Sequence, residues 1–267
     1  TADLAVVLID ARKGVLTQTR RHSYLVSLLG IRRIVLAVNK MDLVGYSADV
    51  FNAIVADYRE FASKIGLTDI TAIPMSAIHG DNIVENGPNM PWYGGPPLMT
   101  HLETVELEDL GASHAFRMTV QWVNRPNLDF RGFAGLIVSG TVRPGDTIRV
   151  LPAGRTSRVT RIVSADGDLP VAVAGQSITL TLADEVDVSR GDVIAAADAP
   201  PAAADQFEAT IVWMHDDALL QGRSYLMKLG ARTVTATVMP IKYKVNVNTM
   251  EHLAAERLEL NDIGICE

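Results

Sequence analysis

Ile31-Arg-Arg-Ile-Val-Leu-Ala-Val38, running straight into Asn39-Lys-Met-Asp42, is the stretch from which the fold of this chain can be read. A short apolar run rich in β-branched residues predicts a strand buried on both faces, as found inside a parallel sheet. Polar residues directly behind such a strand stand at its carboxyl end, where open α/β sheets hold their ligands. Working outward, Leu4 to Ile9 (L-A-V-V-L-I) predicts a second strand of the same doubly buried kind, and Asp10 to Gly14 a polar turn. Gln18 to Leu29 predicts a helix with Tyr24, Leu25, Leu28 and Leu29 as its apolar stripe and Gly30 as a left-handed cap. Asp49 to Ile65 predicts another, with Phe51, Ile54, Val55, Tyr58, Phe61, Ala62 and Ile65 at three- and four-residue spacing and Gly66 closing it. Ile70 to Met75 reads as a third strand and Pro97 to Val105 as a short helix. Strands separated by helices imply right-handed crossovers, so a parallel sheet is expected.

Two strand ends, Asn39-Lys40-Met41-Asp42 after Val38 and Ser76-Ala77-Ile78 after Met75, have the chemistry of a guanine site. An ionised Asp42 carboxylate only accepts hydrogen bonds, so it can take both N1–H and the 2-amino group of guanine. Adenine offers neither donor, and a carboxylate left unpaired rejects the wrong base strongly. Asn39 supplies an amide able to bridge the base and the neighbouring loop. Lys40 can lay its aliphatic stem over the flat base, its ammonium near the ribose and loop carbonyls. Backbone N–H groups around Ala77, in the turn that runs on to Ile78, can donate to guanine O6, with Ser76 buttressing that turn. Three fixed positions give on the order of 0.03 chance matches in a chain of this length. The competing reading is a helix-capping loop that uses Asn and Asp as turn formers.

The phosphate side of a nucleotide site is not in the sequence. No G-x-x-x-x-G-K-[S/T] loop occurs, and the D-x-x-G match at Asp129 to Gly132 lies beyond the α/β region and reads as a loop. In P-loop GTPases both elements precede N-K-x-D, so they are expected ahead of Thr1, with the Mg2+ ligands among them. A start inside a strand, with no methionine before Met41, fits the same expectation of a chain cut from a longer one.

Composition narrows the partners. Lys plus Arg number 24 against 31 Asp plus Glu, a formal charge of −7 that argues against a chain-wide nucleic-acid surface. With 48 % apolar and 21 % charged residues the chain is ordinarily globular. One cysteine excludes a disulfide scaffold and any zinc site built on several thiolates. No apolar run approaches the ~18 residues of a membrane span, and no basic-then-apolar leader opens the chain. A cytoplasmic, reducing setting without membrane contact is expected.

From Ala115 onward the pattern changes to short strands broken by glycine turns. Candidate strands are Phe116 to Asn124, Phe133 to Ser139, Thr147 to Pro152, Ser157 to Ser164, Ser177 to Leu182 and Val193 to Ala196. Such spacing suggests a closed antiparallel barrel. After the alanine–proline linker at Asp198 to Asp205, further strands are expected at Gln206 to Met214, Ser224 to Leu229, Ala231 to Met239 and Ile241 to Val247. Gly264-Ile265-Cys266 reads as a strand just beginning. The expected fold class is α/β plus all-β. It is the C-terminal half of a P-loop GTPase domain (residues 1–108), a β-barrel (109–199) and a second, incomplete barrel (205–267).

In this order of parts the chain resembles the translational-type GTPases, where a G domain is followed by two β-barrels. Several segments resemble more narrowly the large, GTPase subunit of bacterial sulfate adenylyltransferase. They are D-A-R-K-G-V-L-T-Q-T-R-R-H (Asp10 to His22), N-K-M-D-L (Asn39 to Leu43), G-D-N-I (Gly80 to Ile83) and M-P-W-Y-G-G-P (Met90 to Pro96). V-N-R-P-N-L-D-F-R-G-F-A-G (Val123 to Gly135) discriminates best, and D-V-S-R-G-D-V (Asp187 to Val193) adds to it. V-W-M-H-D (Val212 to Asp216) and R-L-E-L-N-D-I-G (Arg257 to Gly264) also fit nodulation-associated relatives. The resemblance implies GTP and Mg2+ as cofactors and a small catalytic subunit as partner. That partner transfers AMP from ATP to sulfate, giving adenosine 5′-phosphosulfate and pyrophosphate. GTP hydrolysis by the large subunit drives this uphill step. No catalytic residue or metal ligand is assigned within the chain. Two other readings are an elongation-factor-like carrier of aminoacyl-tRNA and a non-catalytic adaptor that uses only the barrels.

The remaining features have ordinary readings. Thr19-Arg20-Arg21-His22 is expected on a solvated helix face, Asp10 as a turn former, Trp92-Tyr93 as an apolar lid and Cys266 as a small core residue. The six histidines lack metal-ligand spacing. Arg125, Asn127, Asp129 and Arg131 form a polar loop, either a contact surface for the catalytic subunit or the G domain, or a salt-bridged exposed turn.

Overall fold

A computed structural model describes residues 2–106, 111, 113–127 and 129–267. They fall into two compact units, residues 1–107 with 243–254 and residues 108–242 with 255–267. The domain boundary expected at 108/109 lies outside the described residues.

The first unit is built from β1 (Leu4–Asp10), α1 (Thr17–Leu28), β2 (Arg33–Asn39), α2 (Ala48–Lys64), β3 (Asp69–Pro74) and α3 (Leu98–Thr104). The strands form a parallel sheet in the order β1-β2-β3. β2 carries the double burial read from its sequence. Ile34, Leu36 and Val38 pack with Phe51, Ile54, Val55 and Tyr58 of α2, while Val35 and Ala37 pack with Ile73, Met75 and Leu98 on the other face. β1 corrects the expectation. Val7 and Ile9 are buried, but Val6 is 45 % and Leu8 63 % exposed, because β1 is the edge of this sheet and only one of its faces is covered.

α2 follows its periodicity, with Ser47 accepting from the Val50 N–H as N-cap and Gly66 turning out at φ 73°. α1 does not. Leu28 and Leu29 are exposed and the buried residue is Ser23. Tyr24 and Leu25 are half-buried, and Ser23 meets the fully buried Tyr58 of α2, whose hydroxyl needs a partner. Ser23 Oγ lies 2.9 Å from it and donates to the Thr19 carbonyl at 2.9 Å. Arg20, expected on a solvated face, is instead half-buried, its guanidinium over the Phe61 ring and reaching Asp57 and the Asn248 carbonyl.

The second unit opens with β4 (Arg117–Asn127), β5 (Phe130–Ser139), β6 (Thr141–Val142), β7 (Thr147–Leu151), β8 (Arg155–Ser164), β9 (Gly167–Asp168), β10 (Ala172–Val173), β11 (Ser177–Leu182) and β12 (Val193–Ala196). The order β11-β5-β4-β12-β7-β8 is closed by a β11–β8 pairing, so six antiparallel strands make a ring. Closure removes the free edges that an open sheet would expose. Met118, Val120, Ile148, Val150, Val159, Ile162 and Leu180 fill it. The D-x-x-G match is only partly a loop: Asp129 sits in the β4–β5 turn, and Phe130 to Gly132 already belong to β5.

The remaining strands are β13 (Ala209–Val212), β14 (Leu219–Leu220), β15 (Ser224–Leu229), β16 (Arg232–Thr237), β17 (Ile241–Val245), β18 (His252–Leu253), β19 (Arg257–Leu258) and β20 (Ile263–Cys266). Leu219, Val238, Ile241, Leu258 and Cys266 form a small core. β20 pairs along its whole length with β13, from Ala209↔Cys266 to Val212↔Ile263. Gly264-Ile265-Cys266, read as a strand from the sequence, lies in β20. The two-residue β14, β18 and β19 are too short for a sequence period to reveal.

Candidate functional site

The sheet register sets the site. Asp10 is paired with Asn39 and Val38 with Pro74, so all three strands end at one edge. Met75 N–H donates to the Val38 carbonyl at 2.8 Å and Met41 N–H to the Met75 carbonyl at 3.2 Å, which lays the two motif loops side by side. Lys40 adopts the left-handed conformation at φ 66° before the tight turn Met41–Val44. That conformation costs an L-residue roughly 1–2 kcal/mol. The Asn39 side chain holds it, its Oδ1 accepting from Lys40 N–H at 2.7 Å and from Ala77 N–H at 3.0 Å.

Ser76 is fully buried beneath the two loops, and its Oγ donates to Asp42 Oδ1 at 2.7 Å. One accepted bond leaves the carboxylate most of its lone pairs for a ligand. Above it opens a cleft of about 340 Å³ lined by Arg12, Asn39, Lys40, Asp42, Leu43, Ala77 and Ile78. Leu43 and Ile78 are 56 % and 81 % exposed. Apolar walls beside a hydrogen-bond-accepting carboxylate suit a flat heterocycle with donors on one edge.

All six residues singled out by the sequence meet here, Asn39, Lys40, Asp42, Ala77 and Ile78 on the cleft and Ser76 under it. Two details differ from the expectation. The Ala77 N–H is engaged by Asn39, and the Lys40 ammonium sits on the Asp10 carboxylate at 2.9 Å rather than near loop carbonyls. Asp10 is thus more than a turn former, although Lys13 and Gly14 N–H do donate to its carbonyl. It also accepts from Arg12 Nε at 2.9 Å, Nη2 at 2.6 Å and backbone N–H at 3.0 Å. The Arg12 guanidinium, helped by Lys40, holds this carboxyl far below the usual range despite the opposing effect of desolvation. The sequence signal for it was its place at the end of β1.

A second layer supports Ser76. Its N–H donates to the Asp81 carbonyl at 3.2 Å. The Asp81 carboxylate, nearly buried, accepts from Asn89 Nδ2 at 3.2 and 3.1 Å, and that amide also reaches Tyr46 Oη at 3.4 Å. Desolvation, then the Asp81 charge, push the Tyr46 phenol up. Trp92 closes over this layer, its indole donating to the Tyr46 carbonyl at 3.0 Å and its ring 5.4 Å from Phe51. Burial pushes the neighbouring Tyr93 phenol up to about 12. In sequence this layer was marked by the G-D-N-I segment and by Trp92-Tyr93, expected as an apolar lid.

Removing the buttress tests the arrangement. Ser76→Ala strips Asp42 of a charge-assisted bond worth about 1.5–3 kcal/mol, so guanosine affinity should fall about tenfold with the fold retained. An NMR titration with guanosine reads this directly.

The expected polar loop of the barrel is mostly strand, with Arg125 and Asn127 in β4, Arg131 in β5 and only Asp129 in the turn. Asn127 Oδ1 accepts from Asp129 N–H at 3.0 Å, and Arg131 lies over Phe133 and 3.8 Å from Asp187. Among the described residues no group of three or more His, Cys, Asp or Glu could hold a metal ion. None of their helices is long and apolar enough to cross a membrane.

Three family models match in succession: "Elongation factor Tu GTP binding domain" over residues 1–127, "Elongation factor Tu domain 2" over 134–195 and "GTP-eEF1A C-terminal domain-like" over 206–267. The chain is 56 % identical over 267 residues to "Bifunctional enzyme CysN/CysC" of Xylella fastidiosa, covering all of this chain and 43 % of that one. It is 53 % identical over 265 residues to "Sulfate adenylyltransferase subunit 1" of Laribacter hongkongensis, covering 99 % and 55 %. It is 55 % identical over 266 residues to "Bifunctional enzyme NodQ" of a Rhizobium species, covering 100 % and 41 %. The chain thus spans about half the length of the curated relatives it matches. Among solved structures, sup35 complexed with GDP aligns at a TM-score of 0.55 and 24 % identity, over 100 % of this chain and 69 % of that one. Elongation factor SelB of Methanococcus maripaludis, in its apo form, aligns at 0.51 and 21 %, over 99 % and 57 %. These two share the fold.

Proposed function

This chain belongs to the family of elongation-factor-Tu-like GTPases that contains sulfate adenylyltransferase subunit 1, and on that premise we propose that it supplies the guanine-recognition part of such a subunit. The parent activity is GTP hydrolysis coupled to formation of adenosine 5′-phosphosulfate from ATP and sulfate on a small catalytic partner. The observation that carries the reading is the cleft itself, with Asp42 held by Ser76 between the exposed apolar residues Leu43 and Ile78. In this proposal Asp42 accepts from N1–H and the 2-amino group of guanine, and Lys40 and Ile78 cover its two faces. O6 takes its hydrogen bond from the Ile78 N–H, the Ala77 N–H being held by Asn39. Mg2+ would supply charge neutralisation at the GTP phosphates when bound. The residues in hand fit the base, and no step at phosphate is assigned to them.

A chimera tests the whole-protein reading. Residues 1–267 replace the matching stretch of the Laribacter subunit, to which they are 53 % identical. With the small catalytic subunit, the chimera should release pyrophosphate from ATP in a sulfate- and GTP-dependent manner. Normal assembly without GTP dependence would reject the proposal. Binding of aminoacyl-tRNA by the chimera would favour the carrier reading instead.

A further inference from the structure

We propose that Arg12, locked on Asp10 at the rim of the cleft, contacts the 5′-phosphate-bearing end of the bound nucleotide, with Asp10 as the positioning residue for both Arg12 and Lys40. The inference rests on the guanine reading of the cleft and adds a second ligand feature to it. Arg12 lines the same cleft as Asp42 and Ile78. Its guanidinium is fixed by two hydrogen bonds to Asp10, through Nε and Nη2, and the same carboxylate holds the Lys40 ammonium. One carboxylate between two cations leaves a net positive charge at this rim, and the Asp42 carboxylate lines the same cleft. A ligand that carries both hydrogen-bond donors for the carboxylate and an anion for the cationic rim matches these charges, and a guanosine 5′-phosphate has both.

The ion pairs are poorly explained as a stabilising device. Arg12 and Lys40 side chains are each 45 % exposed, and exposed pairs contribute little to folding. The turn itself closes through backbone bonds from Lys13 and Gly14 to the Asp10 carbonyl, without the guanidinium. What the pairing does achieve is orientation. Of the five N–H donors of a guanidinium, Asp10 engages two, and the others stay available for charge-assisted bonds to phosphate oxygens.

NMR titrations of the chain with guanosine and with guanosine 5′-monophosphate test the assignment. The wild type should bind the monophosphate more tightly than the nucleoside. Arg12→Ala should weaken the monophosphate about tenfold more than it weakens guanosine, the size of one lost charge-assisted bond. Arg12→Lys, which keeps the charge but not the fork, should lie between. Asp10→Asn frees both cations and should weaken the two ligands together, because Lys40 loses its anchor. An Arg12→Ala protein that is folded by circular dichroism and keeps the wild-type ratio of the two affinities overturns the inference. The underlying guanine reading fails differently: the wild type would then show no preference for guanosine over inosine, before any Arg12 variant is made, and the inference would fall with it.

Discussion

Asp42→Asn should reverse the base preference of the cleft, lowering guanosine affinity by about a hundredfold while bringing in xanthosine. The carboxylate accepts two donors from guanine, and each charge-assisted bond is worth about 1.5–3 kcal/mol, so losing or inverting them costs about 3 kcal/mol or more. An asparagine keeps one acceptor for N1–H and turns an NH2 donor toward position 2. Guanine presents an amino group there and clashes donor to donor, whereas xanthine presents a carbonyl and is satisfied. The Ser76 hydroxyl rotates, so it can support either side chain at the 2.7 Å contact it makes with Asp42 Oδ1. Parallel titrations with guanosine, xanthosine and adenosine, followed on the Ala77 and Ile78 amides, read the switch. Guanosine affinity unchanged in the variant would remove Asp42 from the site.

The second large effect lies in the barrel. Gly135 on β5 pairs with Val120 of β4 and Ile178 of β11. A Cβ there would stand 2.2 Å from the Thr119 carbonyl oxygen and 3.1 Å from Met118 Cγ. Relieving a contact with backbone means parting β4 from β5, which opens the ring around the fully buried Met118. Gly135→Ala should therefore destabilise the second unit by about 3 kcal/mol or more. Gly154→Ala is the control. That residue sits at φ 72° with no atom near the added carbon, so only the left-handed penalty of roughly 1–2 kcal/mol applies. Thermal unfolding of the two variants should separate them clearly, and equal shifts would contradict the packing described.

The sequence was informative where one physical requirement dominated. On α2 the apolar spacing had only the sheet to satisfy, and Phe51, Ile54, Val55, Tyr58, Phe61 and Ala62 are buried as their spacing required. The N-K-x-D tetrad could be placed because a strand end fixes where its side chains emerge. On α1 the buried residue is the polar Ser23, which meets the buried Tyr58 hydroxyl, while Leu28 and Leu29 at the helix end are in solvent, and an apolar stripe does not report either. For β1, burial depended on which neighbours the strand has, which an apolar run cannot report. Asp10, Arg12 and Lys40 are brought together by the sheet register, and Tyr46, Asp81 and Asn89 by loop packing. Neither leaves a spacing pattern in the chain. The barrel strands were visible through alternation and glycine turns, but its closure depends on the β11–β8 pairing, a long-range contact.

A guanine-reading cleft at the β2 and β3 strand ends should discriminate among purine nucleosides. That discrimination is tested most directly by titrating the wild-type chain with guanosine, inosine and adenosine under two-dimensional NMR. Guanosine should give saturable shifts at the Asn39, Ala77 and Ile78 amides. Inosine, which lacks only the 2-amino group, should bind about tenfold more weakly, and adenosine should not bind measurably. Equal responses to all three nucleosides, or shifts confined to residues away from the cleft, would contradict it.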